Sequence, residues 1–278
     1  MADRRDFVGL IAAAAASAAL PRRLMAWNDV DRLDRIGVQL YTVRKALAQD
    51  FDGTLARLAA IGFREVEFAG YHGKRPAEVR DALSRHHLDA PASHVALEEL
   101  ETGWDAAAAA ATEVGHRWLV VAWIDAARRK TLDDYKRVGE VFTRIGTQAR
   151  AAGLRFAYHN HAFEFAPLEG RVPYDVLLES TDPAVVEFEL DLYWITDGGS
   201  DPLAYFARWP GRFPLVHVKD KAADGRMVDV GAGRIDWKAI LHQRKEAGIR
   251  HYFVEHDDPP DPFASVAASY AYLNRLDV

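Results

Sequence analysis

After residue 34, strand-like segments alternate eight times with helix-like segments, and the connections between them are short. Residues 118–124 form an uninterrupted apolar run, which is typical of a strand buried on both faces of a parallel sheet. Residues 132–152 carry the clearest helix pattern, with Thr131 before it and Gly153 after it. Eight strand–helix pairs in about 240 residues predict an α/β fold, a single-domain (β/α)8 TIM barrel over residues 34–276.

The alternative to a barrel is an open doubly wound sheet of the kind that binds dinucleotides. Such sheets carry a glycine-rich phosphate loop after the first strand, and the segment IGVQLYTVR at residues 36–44 contains no such loop. The barrel is therefore favoured. Its helix patterns predict continuous helices at residues 97–114 and 235–247, each followed by glycine.

The N-terminal segment has a different composition from the rest of the chain. Arg4 and Arg5 are followed by Phe7, and residues 8–20 form an alanine-rich, weakly apolar run. The run is shorter than the roughly 20 residues that cross a bilayer. We interpret residues 1–26 as a twin-arginine-type signal peptide, with a soluble amphipathic helix as the alternative. This predicts a periplasmic or otherwise exported protein with no stable membrane anchor after cleavage.

Bulk charge and cysteine content exclude two classes of site. The formal net charge is −6, whereas nucleic-acid-binding proteins usually present a basic face, so no nucleic-acid partner is expected. Cysteine is absent, which rules out disulfides and thiolate ligands. Any metal ion would therefore be held by His, Asp and Glu side chains.

The segment LRFAYHNHAFEF at residues 154–165 concentrates metal-capable side chains at the end of a predicted strand. Because side chains alternate along a strand, His159 and His161 point the same way, about 7 Å apart. Glu164 follows within the same segment. Two neighbouring imidazoles indicate a metal site, and the alternative is a polar cluster satisfied by nearby backbone groups.

Acidic and basic side chains also end the other predicted strands, where TIM barrels carry their reactive groups. These strand-end residues are Glu67, His94, His159, His161, Glu189, Asp191, His217, Lys219, Glu255 and Asp257. A divalent cation would neutralise such a convergence of acids. Structural roles remain the alternatives, namely a salt bridge for Glu67, a buried ion pair for Asp191 or Glu255, a core histidine at position 217 and a Lys219–Asp220 pair.

Further polar and aromatic residues are candidates for contacting a substrate. His94, His72, Trp194 and Glu189 are assigned to substrate binding, although a plain loop role is the alternative for both histidines. Trp123 and Trp194 each fit either a core position or a surface on which a sugar ring stacks. We expect Trp123 to lie in the core.

Several motifs together resemble the xylose-isomerase-like barrel family of sugar phosphate isomerases/epimerases, in an exported branch. They are HVKD at 217–220, VEHD at 254–257, GFREVEFAGYHG at 62–73, ELDLYWITDGGSDP at 189–202 and EHDDPPDP at 255–262. The resemblance spans residues 34–276 and lies in the combination of motifs. It implies one divalent metal ion held by a glutamate, an aspartate, a histidine and a glutamate from strands five to eight.

Three of these ligands carry over by position, as Asp191, His217 and Glu255. At the fourth position this chain has His159, where many relatives have a glutamate before Asn-His. Two imidazoles and two carboxylates suit Mn²⁺, Zn²⁺ or Co²⁺ better than Mg²⁺, because imidazole is the softer ligand.

The resemblance implies a metal-dependent isomerase/epimerase that acts on a small carbohydrate. Glu255 would remove a proton next to a carbonyl, the metal would stabilise the enediolate, and Lys219, Glu67 or His161 would carry a second proton. Two alternatives use the same barrel, a 3-keto-glycoside lyase/hydratase and a non-catalytic sugar-binding protein. The endonucleases that share this barrel are disfavoured by the acidic balance. The oligomeric state stays open, and a homo-oligomer is compatible with the sequence.

Overall fold

In the computed structural model, which describes residues 33–278, eight parallel strands close into a barrel. The order around the barrel is β1-β10-β7-β6-β5-β4-β3-β2, and β8 and β9 form a separate two-stranded hairpin. The strands are β1 Gly37–Gln39, β2 Glu65–Phe68, β3 Asp89–His94, β4 Trp118–Val121, β5 Arg155–His159, β6 Val186–Asp191, β7 Leu215–Val218, β8 Asp220–Lys221, β9 Met227–Val228 and β10 His251–Val254. The predicted (β/α)8 fold is confirmed.

Helices follow the barrel strands and cover the outside of the sheet. They are α1 Arg44–Gln49, α2 Phe51–Ile61, α3 Pro76–His86, α4 Leu97–Thr102, α5 Trp104–Val114, α6 Leu132–Ala151, α7 Pro173–Ser180, α8 Leu192–Asp197, α9 Pro202–Arg208, α10 Trp237–His242, α11 Arg244–Ala247 and α12 Pro262–Leu273. Short 3-10 helices lie at Leu40–Val43, Ala126–Arg128 and Ala162–Glu164. None of the helices in residues 33–278 is both long and apolar enough to cross a bilayer.

Two of the predicted continuous helices are broken in the structure. Residues 97–114 divide into α4 and α5 at Gly103, where φ is −128°. Glycine costs a helix about 1 kcal/mol relative to alanine, so a break at this residue is inexpensive. Residues 235–247 divide into α10 and α11 at Gln243. By contrast, α6 begins with the predicted Thr131 cap, whose side chain accepts a hydrogen bond from the Asp134 backbone N–H.

The inside of the barrel is apolar in its middle layer. Its residues are Ala92, Trp118, Val120, Ala157, Leu215 and Phe253. At Gly37, which faces the same layer, an added Cβ would lie 2.7 Å from Phe253 Cδ1, so only glycine fits. Inward positions two residues further along the strands carry His94, His159, His217 and Glu255. Strand alternation thus places the polar residues directly above an apolar floor.

The predicted export signal at residues 1–26 lies outside the described residues and stays a prediction.

Candidate functional site

The polar side chains predicted at the strand ends converge inside the barrel mouth. Strand register brings Asp191 of β6 beside His217 of β7, and His159 of β5 beside Glu189 of β6. Seven of the ten side chains are buried, and His94, His161 and Asp257 are half-buried. Their ligand atoms form two groups, each within 4.8 Å: an inner group of His94, His159, Glu189 and His217, and an outer group of Asp191, His217 and Glu255.

The inner group surrounds one carboxylate oxygen. Glu189 Oε2 lies 2.8 Å from His94 Nε2, 3.1 Å from His159 Nδ1 and 3.2 Å from His217 Nε2. Glu67 Oε2 lies 2.6 Å from His217 Nε2. Glu189, assigned to substrate binding from the sequence, is thus fully buried beneath three imidazoles.

The outer group lies nearer the strand ends than Glu189 and has Lys219 beside it. His217 Nδ1 lies 2.7 Å from Glu255 Oε2 and 3.9 Å from Asp191 Oδ2. Lys219 Nζ lies 3.0 Å from Asp191 Oδ2 and 2.8 Å from Glu255 Oε2. It also donates a 2.8 Å hydrogen bond to Asp257 Oδ1. Lys219 therefore belongs to the site and does not form the alternative pair with Asp220.

His159 connects the two groups. Its Nδ1 contacts Glu189, and its Nε2 lies 3.7 Å from Asp191 Oδ2. The four ligand candidates His159, Asp191, His217 and Glu255 thus form a chain of neighbours around the outer opening. Within that chain, His217 is the residue that both groups share.

Asp191 is positioned by its second oxygen. Oδ1 accepts hydrogen bonds from the Tyr193 and Trp194 backbone N–H groups, at 3.0 and 2.9 Å, and so caps the start of α8. The Asp191 backbone N–H donates to Asn160 Oδ1 at 3.0 Å. Because the cap occupies Oδ1, Oδ2 is left to face the site.

The cluster has unsatisfied polar atoms that fit a divalent cation. Within residues 33–278, buried Asp191 Oδ2, Glu189 Oε1 and Glu67 Oε1 accept no hydrogen bond, and His161 Nδ1 has no partner. Although Lys219 Nζ lies near Asp191 Oδ2, the geometry is that of an ion pair without a hydrogen bond. Buried carboxylate oxygens without partners are costly, and metal coordination would satisfy them. The donor set of imidazoles and carboxylates suits the transition metals expected from the sequence.

The histidines of the cluster differ in charge: His94 and His217 favour the cationic form, and His159 favours the neutral form. Burial opposes the charged form of His94, but Glu67 and Glu189 raise its pKa to about 9. Against the same burial, Glu189 and Glu255 raise the pKa of His217 well above its ordinary value. Burial and the charge of His217 hold the pKa of His159 well below its usual range. His159 is therefore a neutral imidazole, the form that binds metals.

Lys219 and Glu255 form a charged pair at the opening. Burial opposes both charges, yet Asp191 and Glu255 raise the pKa of Lys219 well above its usual value. Lys219 and His217 in turn hold the pKa of Glu255 well below its usual range. Glu255 is therefore an ionised carboxylate, as a proton acceptor must be.

The remaining sequence candidates lie at different distances from the cluster. The His161 ring is 5.2 Å from the His159 ring and 5.7 Å from the Trp194 ring, so both residues border the opening. Burial and Lys219 lower the pKa of His161 to about 3. His72 lies in the loop after β2 with φ of 50°, and neither metal-capable group among the described residues includes it.

The expected core position of Trp123 is wrong. Its side chain is 52% exposed, because β4 ends at Val121 and Trp123 falls in the following loop. An uninterrupted apolar run over residues 118–124 cannot reveal where the strand inside it stops.

Two positioning residues were missed from the sequence. Gln39, at the end of β1, donates from Nε2 to Glu67 Oε2 at 2.8 Å. Asn160 orients Asp191 as described above. Gln39 could have been found as the polar residue that ends the first strand, whereas nothing in the sequence indicates the long-range partner of Asn160.

The comparisons with known proteins agree with this architecture. The family described as xylose isomerase-like TIM barrel matches residues 55–276. A sugar phosphate isomerase/epimerase from Parabacteroides distasonis has a solved structure that superimposes with a TM-score of 0.78 at 28% identity, covering 86% of this chain and 93% of that one. The IolI protein, solved with a bound zinc atom, shares the fold at 16% identity, with a TM-score of 0.70 over 86% of this chain and 96% of that one.

Among curated proteins, an inosose dehydratase from Lacticaseibacillus casei is 28% identical over 166 residues, which cover 52% of this chain and 55% of that protein. The chain thus spans about half the length of this curated relative. The family model matches residues 55–276, which is most of the described barrel, and this match assigns the chain to a family. This chain belongs to the xylose isomerase-like TIM barrel family.

Proposed function

We propose that this chain is a metal-dependent enzyme that removes a proton from the carbon next to the carbonyl of a small carbohydrate. The observation that carries the proposal is the buried cluster at the barrel mouth, where Asp191 Oδ2 has no hydrogen bond and ionised Glu255 lies beside Lys219. Such a concentration of perturbed groups in one opening is typical of a catalytic site.

We propose His159, Asp191, His217 and Glu255 as the residues that hold one divalent ion, with Mn²⁺, Zn²⁺ or Co²⁺ favoured over Mg²⁺. When bound, such an ion acts as a Lewis acid that polarises a carbonyl and stabilises negative charge on its oxygen. The zinc atom in the IolI protein, which shares this fold, supports the choice of a transition metal. Glu67 contacts His217 Nε2 at 2.6 Å, and this contact orients the ring so that Nδ1 points toward the proposed ion.

In this proposal Glu255 accepts the proton, because it is ionised and lies at the opening with 6% of its surface exposed. Lys219 keeps Glu255 charged and carries protons that a developing alkoxide can accept. Neutral His161 borders the same opening and is a second carrier for a proton. Glu67 is fully buried behind His217, so it serves as a positioning residue.

Elimination is the outcome we favour after the proton is removed. A carbon–carbon double bond forms, and the substituent on the next carbon leaves as water or an alcohol with a proton from Lys219, whereas neutral His161 can only relay a proton that it has first accepted. Two observations favour it: the position of the family's second glutamate is taken by His159, and curated relatives are named inosose dehydratase. Isomerisation or epimerisation is the second candidate, favoured by the similarity to the Parabacteroides distasonis protein.

The test is to incubate the metal-loaded protein with aldoses, ketoses, inososes and 3-keto-glycosides in D₂O and to follow products by NMR. Elimination predicts loss of water or of the aglycone, with an alkene or enone signal. Isomerisation predicts deuterium at the carbon beside the carbonyl, with all substituents retained. Metal-loaded protein that exchanges no proton in any of these compounds would overturn the proposal.

A further inference from the structure

A groove lies across the ends of β3 and β4 and borders the catalytic cluster at His94. It has a volume of about 570 Å³, which is in the range of small-molecule sites of about 300–1,000 Å³. His94, whose Nε2 contacts Glu189, forms part of its wall. The groove thus shares one wall residue with the cluster, and most of its lining comes from α4 and the loops after β3 and β4. The proposed reaction uses none of those loop residues.

Trp123 presents a large aromatic surface in this groove. Among residues 33–278, only Trp123 and Tyr41 are exposed large hydrophobic residues, at 52% and 43%. The indole is nevertheless held in place: the rings of His161 and Phe163 each pack edge-on at 5.2 Å. The Arg129 guanidinium lies 5.2 Å from the indole centroid. An aromatic ring that is fixed yet half open is suited to stacking against a ligand.

The polar residues of the groove are mainly acidic. They are Glu98, Glu101, Asp125, Arg128 and, on the wall shared with the cluster, His94. Arg128 pairs with Glu101 through a 2.5 Å contact, so its charge is already compensated. Even if His94 is counted as a cation beside Arg128, the three carboxylates leave the lining with a net negative charge, which disfavours a phosphate or carboxylate ligand. Carboxylates next to an aromatic face are instead suited to accept hydrogen bonds from neutral hydroxyl groups.

We propose that this groove is a subsite for a second sugar ring, which stacks on Trp123 while the first ring occupies the catalytic cluster. The inference rests on the proposed function and narrows its substrate class to uncharged glycosides with at least two rings. His161 links the two subsites, because its ring contacts both the Trp123 ring and the His159 ring at 5.2 Å.

The test measures binding by calorimetry with metal-loaded protein and three unoxidised probes: methyl glucoside, cellobiose and 4-nitrophenyl glucoside. We expect cellobiose to bind more tightly than methyl glucoside. Trp123→Ala should weaken cellobiose binding about tenfold without changing methyl glucoside binding, because only the stacking contact is lost. Trp123→Phe should retain most of the affinity. Tyr41→Ala is the matched control, since Tyr41 is the other exposed aromatic residue, with Arg44 4.0 Å from its ring, but it does not line the groove.

Three results would overturn the subsite. The first is that the wild-type protein binds cellobiose and methyl glucoside with equal affinity. The second is that Trp123→Ala loses the same affinity for both of these probes. The third is that only the binding of 4-nitrophenyl glucoside depends on Trp123, which would indicate a site for an aromatic aglycone. Failure of the proposed function is distinguishable from these outcomes. In that case cellobiose binding would depend on Trp123, while no keto-sugar would exchange a proton in D₂O.

Discussion

Both ring nitrogens of His217 contact a carboxylate, and this double contact determines the role of the residue in the site. Each ring nitrogen lies within 2.7 Å of a carboxylate oxygen, Nδ1 beside Glu255 and Nε2 beside Glu67. The ring is therefore an imidazolium between two acids, and a metal ion on Nδ1 would replace a proton. The Nε2–H would still donate to Glu67, which is the carboxylate–histidine–metal arrangement common in metal sites. A satisfied core histidine, the structural alternative, would not need two carboxylates.

Glu255→Gln tests whether this carboxylate acts as a base. Gln keeps an oxygen ligand but cannot accept a proton, so turnover should fall by roughly 100-fold or more while much of the metal affinity remains. The measurement compares kcat with the metal content after dialysis. Asp257→Asn is the control, because Asp257 contacts Lys219 at 2.8 Å but belongs to neither metal-capable group. Parallel loss of metal and turnover in Glu255→Gln would remove the base assignment.

Strand alternation allowed the inward direction of individual residues to be predicted. Alternation along β5 predicted the direction of His159, whereas Asp191, His217 and Glu255 were predicted only as strand-end residues, and all four are buried in the cluster. The choice of partner could not be predicted, because it depends on the stagger between strands. Glu189, for example, pairs with His159 and Leu215 in register, which places its carboxylate beneath the imidazoles.

At the scale of elements, one buried carboxylate organises the loop between β7 and α10. Asp220 Oδ2 accepts from the Gly231 and Gly233 backbone N–H groups and from Trp237 Nε1, at 2.9, 3.1 and 2.9 Å. Its Oδ1 accepts from the backbone N–H groups of Lys221 and Ile235. At Gly233 an added Cβ would lie 2.1 Å from Asp220 Oδ1, so the loop wraps the carboxylate too closely for any side chain there.

Asp220→Asn should therefore destabilise the fold by about 2–4 kcal/mol, because the amide NH₂ would face N–H donors wherever it points. The measurement is chemical denaturation. The control is Asp224→Asn, at an exposed aspartate whose partners are the backbone and side chain of Arg226. The control should change stability by less than about 0.5 kcal/mol. Equal effects of the two substitutions would refute the organising role of Asp220.

Glu164 fixes the loop that carries His161. Its carboxyl accepts hydrogen bonds from the Tyr158 hydroxyl and, at 2.9 Å, from the His161 backbone N–H. Burial raises its pKa from 4.5 to about 8. Because the folded state binds this proton more tightly, the associated stability is present below about pH 4.5 and is lost as the pH rises toward 8.

Glu164→Gln should remove this loss, since Gln is neutral, its oxygen can accept from the His161 N–H, and its NH₂ group can donate to the Tyr158 hydroxyl oxygen. Relative to the wild-type protein, the variant should become more stable as the pH increases from about 5 to 8, with each pKa unit corresponding to about 1.4 kcal/mol. Denaturation at several pH values with fixed metal content measures the difference. Glu169→Gln, at an exposed position in the same loop region, should show no such trend. A constant difference between Glu164→Gln and wild type would contradict the assigned shift.

The elements that could not be predicted are short and depend on tertiary contacts. Helix α8 directly follows β6 because Asp191 both ends the strand and caps the helix, which a pattern of apolar residues does not reveal. The hairpin of β8 and β9 has two residues in each strand, too few to show a period. Element type was predictable where a long segment carried one period, as in α6.

For the whole molecule, the closed barrel separates an apolar interior from a polar mouth. Alternation of eight strands and helices predicted that arrangement, because parallel strands place all their C-terminal ends on one side. The division of the mouth into two groups that share His217 could not be predicted, since it requires the three-dimensional order of side chains across five strands. Because both groups use His217, this arrangement also limits the number of metal ions that the mouth can bind.

Because both groups need His217, we expect one divalent ion per chain at saturation. Binding to the folded state alone should stabilise it by about 2.7 kcal/mol at a free metal concentration 100 times Kd, and chelation should reverse the gain. Metal analysis after gel filtration measures the stoichiometry, and thermal denaturation measures the stabilisation. Two ions per chain would show that the groups bind independently.

A pair of matched substitutions identifies which group holds the ion. Asp191→Asn preserves the α8 cap through its oxygen but removes the outer charge, whereas Glu189→Gln removes the inner charge at an equally buried position. If the outer group is the site, Asp191→Asn should abolish the metal-dependent rise in Tm, and Glu189→Gln should weaken metal binding by about 10–100-fold, as expected for a residue that orients ligands. The reverse order would move the ion to the inner group, away from Glu255. The carboxylate proposed as the base would then be separated from the metal, so this comparison tests the geometry on which the proposed chemistry depends.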